Sequence, residues 1–191
     1  SARDTFAMLH DRGVRIDAKP FSIGVRIEHP QHLIDVARLG RHAGNPRLGA
    51  ADYKLVQHCQ NGRSVYSFCM CPGGQVVAAT SEAGRVVTNG MSHYSRADHN
   101  ANAGIVVGIT PADFGSDHPL AGIALQRELE ARAFALGGGN YNAPAQRVGD
   151  FLAARPSTGP GTVLPSYTPG VTWTSLDASL PDYVINAVRE A

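Results

Sequence analysis

The stretch Tyr66-Ser-Phe-Cys-Met-Cys-Pro-Gly-Gly-Gln-Val-Val-Ala-Ala-Thr-Ser-Glu82, followed by Gly84-Arg-Val-Val-Thr-Asn-Gly-Met-Ser92, decides how this chain is read. Two apolar runs flank Pro72-Gly73-Gly74, a turn that lets a backbone approach a flat ligand closely. Two of the three cysteines stand one residue apart just before it. Working outward, Gln60-Asn61-Gly62 joins apolar runs at 53–59 and 63–70, and Asn-Gly is the strongest short hairpin signal, of type I′. Glu82-Ala83-Gly84 turns the run at 76–80 into one at 85–88. The spacing predicts a four-strand antiparallel meander.

On either side the periods change. Phe21, Ile23, Val25 and Ile27 alternate with Ser22, Gly24, Arg26 and Glu28, a strand with one apolar face. Gly104-Ile-Val-Val-Gly-Ile109 is apolar on both faces and reads as a central strand. Leu125, Leu129, Ala133 and Leu136 form a helical stripe, with Glu128 and Arg132 able to pair on its outside. Further helices are expected after a Ser1–Asp4 capping box and ending at Gly13. Others are expected after Pro30 with Leu33, Ile34, Val36 and Ala37 inward, over 145–154 with Val148, Phe151 and Leu152 inward, and after Pro181 with Tyr183, Val184 and Val188 inward. Residues 155–171 read as irregular, ordered by Tyr167 and Trp173. Strands and helices are partly segregated, so the class is α+β: an antiparallel-rich, mixed sheet covered on one side by helices. No Gly-x-Gly-x-x-Gly follows a strand, so the chain is not a Rossmann domain on its own.

The 191 residues suit a single domain, 1–191, with a real core, and the net charge of +1 implies neither nucleic acid nor an anionic membrane as partner. No apolar run approaches membrane-spanning length. Three cysteines make a disulfide framework a poor reading and a reducing cytoplasm a good one. Alternation puts Cys69 and Cys71 on one side of an extended strand, about 6.5–7 Å apart at Cα, too strained for a mutual bridge. They read either as a reactive thiol pair or as small core residues. A zinc site from His58, Cys59, Cys69 and Cys71 has the wrong spacing for a structural knuckle. No metal is expected.

Of the eight histidines, His93 and His99 lie in the polar stretch after the turn and are the acid–base candidates. Asn89-Gly-Met-Ser-His-Tyr-Ser-Arg96 with Asn100-Ala-Asn102 reads as a polar wall or a solvated loop. Arg26 offers a positive charge, or else pairs with Glu28. Gly137-Gly-Gly-Asn-Tyr-Asn142 follows a helix rather than preceding one, so it reads as a C-cap and not a phosphate cradle.

Several motifs in order, Pro20-Phe-Ser-Ile-Gly-Val-Arg-Ile-Glu-His-Pro30, Leu48-Gly-Ala-Ala-Asp-Tyr-Lys54, Tyr66 to Gly74, Val87-Thr-Asn-Gly-Met-Ser92 and Gly137-Gly-Gly-Asn-Tyr-Asn-Ala-Pro-Ala-Gln146, resemble a family of bacterial FAD-dependent dehydrogenases. The resemblance implies an inserted, substrate-side domain whose partner is the FAD-binding remainder of its own polypeptide. It also accounts for a chain that opens without Met and closes inside a helix. It implies hydride transfer at FAD, with NADH or NADPH as a further redox partner and a small molecule as substrate. It places Pro72, Gly73 and Gly74 near the isoalloxazine ring, with Cys69 and Cys71 as catalytic candidates and Arg26, Asn89, Ser92 and Arg96 facing flavin or substrate. A binding module without activity, or a cysteine-based redox or zinc domain, are the other readings.

Overall fold

A computed structural model describes residues 2–191. Strand β1 (Phe21–Pro30) takes its register from its alternation: Ile23 sits opposite Val107 and Val25 opposite Ile105 of β6 (Asn100–Ile109). Their side chains point into one core with Val65, Leu129, Phe151, Val184 and Ile185. β6 is central, as its two apolar faces require. On its other side it pairs with β3 (Ser64–Cys71), which pairs with β2 (Val56–His58). The sheet is four-stranded, in the order β1-β6-β3-β2, and antiparallel throughout.

Helices α3 (Ala121–Leu136) and α5 (Asp182–Glu190) cover the odd-numbered face of β6. Leu129 is the buried centre of the α3 stripe, and Val184 of α5, with Tyr183 and Val188 packed beside it. Glu128 and Arg132 pair outside. The α+β class and the one-sided helical cover are as the sequence reads.

The strands that follow one another in sequence do not all share this sheet. β4 (Gly74–Ala78) pairs with β5 (Thr88–Ser92) as a separate ribbon, and β6 occupies the place beside β3. The cause lies in β3. Its register to β6 slips between Phe68 and Cys71, and Cys69 has a left-handed φ of 49°. Such a bulge bends and twists its strand. The Pro72-Gly73 turn then carries the chain out of the sheet plane, and the ribbon comes back over the ends of β3 and β6. The hairpin at Asn61 also differs: among its residues only Gly62 has positive φ, at 77°, and Gly62 N donates to Cys59 O. That is the three-residue loop closed by a left-handed Gly, not a type I′ turn, which needs positive φ at both central residues.

The remaining differences concern apolar residues. Helix α1 (Arg3–Asp11) has no side-chain cap, and the Ser1 part of the expected capping box lies outside the described residues. Helix α2 (Gln31–Leu39) leaves Leu33, Val36 and Ala37 on the surface, because it is anchored through Gln31 and Asp35 instead. Residues Ala143–Ala145 form β7, parallel to β8 (Val171–Trp173), so α4 is only Val148–Leu152. It buries Phe151 and Asp150 while Val148 and Leu152 are exposed. Asp150 is held by Arg147, Arg155 and Ser157.

Candidate functional site

Among the described residues α3 and α5 pack on the odd-numbered face of β6, and the β4–β5 ribbon meets its even-numbered face. Arg26 of β1 sits opposite Gly104, Glu28 opposite Asn102, and Cys71 opposite Asn102 from the other side. Directly opposed residues share a face, so Arg26, Asn102 and Cys71 are brought together. Gly90 of β5 closes over them. A Cβ there would collide with Asn102 Oδ1 and Arg26 Nη1 and lie 2.7 Å from Cys71 Sγ.

Arg26 Nη1 donates to Asn102 Oδ1 at 2.6 Å and Nη2 to Asn89 Oδ1 at 3.3 Å. Burial draws the guanidinium down from its usual value, opposed chiefly by the neighbouring Cys71. An arginine stays charged regardless. Among the described residues no carboxylate pairs with it; Glu28 instead accepts from Asn100 Nδ2 at 2.9 Å and from Ser166 N. The Arg26–Glu28 pair is therefore not formed, since each has a nearer partner. Asn102 is fully buried, and with Oδ1 committed to Arg26 its Nδ2 has no acceptor. Beside the cluster Tyr53 Oη lies 2.9 Å from His29 Nε2. Burial raises the Tyr53 hydroxyl, against the pull of Arg26, and lowers the His29 ring.

The Pro72-Gly73-Gly74 turn is buried and fastened from within. Gly73 N donates to Gln31 Oε1 at 2.7 Å, and Gln31 Nε2 reaches Asp35 and the Ala51 carbonyl. Ser92 Oγ donates to the Pro72 carbonyl at 2.7 Å. A Cβ on Gly73 would strike the Arg96 carbonyl, and one on Gly74 the Met91 carbonyl and Ser92 Oγ. These two glycines thus serve close approach by the chain's own backbone. Arg96 is exposed, with a φ of 49°.

The bulge breaks the expected alternation of the two thiols. Cys69 is exposed, while Cys71 is half-buried against the Arg26 cluster, its Sγ 3.4 Å from the Cys69 carbonyl. All three cysteines are free. Cys59 lies at the far end of the β2–β3 hairpin, its N–H bonded to the Arg63 carbonyl six residues of chain before Cys69, or about 20 Å from it. It is buried against Ala187 of α5. His58, Cys59, Cys69 and Cys71 are therefore not gathered, and no group of three metal-ligating side chains forms among the described residues. His93 is exposed, with Nε2 4.0 Å from Asp98 Oδ2, and His99 is exposed. Beside the turn a cavity of about 370 Å³ is lined by Gly74, Gln75, Asp98, Asn100, Thr162 and Ser166, among others.

Sequence reasoning missed Asn102 as the centre, Gly90 as its lid, and Gln31 as the clamp. The spacing of Asn100 and Asn102 on one strand face was the available signal for the first. Gln31 opens a helix and carried none.

The family model described as "FAD-dependent protein, C-terminal domain-like" matches residues 20–191, and the chain belongs to that family. An "Uncharacterized protein" of Clostridium beijerinckii is 54% identical over 191 residues, the whole of this chain. The chain spans 36% of that relative's length. No helix among the described residues is long and apolar enough to cross a membrane.

Proposed function

We propose that this chain is the substrate-side domain of an FAD-dependent oxidoreductase, a dehydrogenase in which hydride passes at a flavin held mainly by the rest of a longer polypeptide. The observation that carries the reading is the unspent donor pair: Arg26 without a carboxylate partner beside the buried, acceptor-less Asn102 Nδ2. Buried donors call for acceptors. The flavin ring has an acceptor-bearing edge and gains negative charge on reduction, so the residues fit the group. FAD supplies the hydride chemistry when bound.

This chain supplies the setting. Arg26 holds a positive charge at a fixed place, and Asn102 and Asn89 orient its two terminal nitrogens. Gly90 and Cys71 pack against the Arg26–Asn102 hydrogen bond. Gln31 and Ser92 hold the turn that borders it. Cys69, at the exposed bulge, is free to meet substrate. In this reading the FAD pyrophosphate is held by other parts of the longer polypeptide, between which this domain is inserted. Three free thiols suit the cytoplasm.

Purification of the full-length protein tests this. Stoichiometric FAD absorbance is expected, with the 191-residue domain colourless. A full-length protein without flavin absorbance or affinity for FAD overturns the reading. Anaerobic mixing with NADH, NADPH or candidate small molecules then identifies the electron source by bleaching.

A further inference from the structure

The cavity beside the turn is built differently from the Arg26 cluster. Asn100 opens β6 and is only 8% exposed. Its Nδ2 donates to Glu28 Oε1 at 2.9 Å and to the Leu164 carbonyl at 3.0 Å. Both partners are acceptors, and Glu28 is itself fixed by Ser166 N. The amide therefore cannot turn over, because reversal would set an oxygen against a carboxylate and a carbonyl. Its Oδ1 is left buried without a donor.

Asp98, two residues earlier, lines the same cavity. Its Oδ2 is also buried without a hydrogen-bond donor, and His93 Nε2 at 4.0 Å stands outside hydrogen-bond reach. No lysine or arginine is among the lining residues. The Glu28 carboxylate stands directly behind Asn100, and His99 is the one other titratable side chain in the lining besides Asp98. Two residues that line one cavity, large enough for a small molecule, thus each keep a buried oxygen without a donor. A buried acceptor costs stability until something donates to it. The group that answers both the charge and the hydrogen bonds is compact, cationic and rich in N–H.

We infer that this cavity seats the ammonium group of a small organic amine, which donates to Asp98 Oδ2 and Asn100 Oδ1. The site stands on its own geometry and does not depend on the flavin reading. The alkyl part lies toward Leu164 and the Gly74 backbone, at the mouth between the turn and the 155–170 segment.

Calorimetric titration of the full-length protein with n-butylammonium chloride tests it, with n-butanol and sodium butyrate as shape-matched controls. Saturable binding of n-butylammonium is expected, with both controls weaker by about tenfold or more. Asp98→Asn keeps the shape and removes the charge; it should weaken n-butylammonium by about tenfold while leaving the unfolding temperature unchanged. Should that variant unfold, the ranking of the three ligands on the unmodified protein still decides. A crystal grown with the amine should show its nitrogen between Asp98 and Asn100. No saturable binding, equal binding of butanol, an unaffected Asp98→Asn variant, or a water alone at Asn100 Oδ1 each overturns the site.

Discussion

Asn100 and Asn102 stand two residues apart on one face of β6, and they present opposite chemistry. Arg26 engages Asn102 by its oxygen and leaves a buried N–H. Glu28 and the Leu164 carbonyl engage Asn100 by its nitrogen and leave a buried oxygen. Both are among the most buried polar residues of the chain. The difference teaches that the side chain alone does not set what such a position offers a ligand. The neighbour that takes one end of the amide decides which end remains. Here the β1 residues Arg26 and Glu28, also two apart, impose the two senses. One end of the sheet face is thereby cationic and donating, the other anionic and accepting.

The lid over the donor end is the place to break the contrast most strongly. Gly90→Ala drives a methyl into Arg26, Asn102 and Cys71. Overpacking of this kind costs roughly 3 kcal/mol, read from urea unfolding. Gly108→Ala, on a stretch of β6 where a Cβ meets nothing within 4 Å, is the matched control. It should change stability by less than about 0.5 kcal/mol.

A double-mutant cycle sharpens the pairing itself. Arg26→Ala with Asn102→Ala should show a coupling of about 1.5–3 kcal/mol, the range of a charge-assisted hydrogen bond. Arg26→Ala with Asn100→Ala should be additive within about 0.5 kcal/mol. Equal couplings would erase the distinction between the two asparagines.

A region where charges are spent offers a further contrast. Glu82 meets Arg127, Arg3 and Arg85, and the Arg127 hydrogen bond first of all lowers its carboxyl to about 2. The folded value lies below the unfolded one of 4.5. The stability it contributes is therefore present above about pH 4.5 and lost as pH falls toward 2. Glu82→Gln should flatten the acid limb of the stability profile between those values. The smallest effect is expected at the thiols. Cys69→Ser at the exposed bulge should shift stability by less than about 0.5 kcal/mol. Disulfide reagents should label Cys69 first and Cys59 only on unfolding, since burial raises that thiol.

Much of this fold is legible in local periodicity. The alternation of β1, the doubly apolar β6 and the stripes of α3 and α5 are each decided by residues close in sequence. The place of β6 beside β3 is not, because it depends on a bulge at Cys69. A cysteine in left-handed conformation has no sequence signature, unlike the glycine that betrays the turn at Gly62. Apolar Leu33, Val36, Val148 and Leu152 follow helical spacing yet lie on the surface, where spacing cannot tell an inner face from an outer one. Of the candidate site, Arg26, Asn89 and Cys71 are found together. Spacing alone does not decide Asn102 as centre and Gly90 as lid, because their roles exist only across four strands, β1, β3, β5 and β6.

The central claim is that the Arg26 charge faces the flavin of the full-length protein. A redox titration of the FAD-loaded protein measures this directly. Arg26→Ala should lower the two-electron midpoint potential by about 30 mV or more, the equivalent of roughly 1.4 kcal/mol lost from the reduced state. Arg15→Ala removes the same charge from an exposed pair with Asp17 and should leave the potential unchanged. Equal potentials for Arg26→Ala and the unmodified protein would contradict the account.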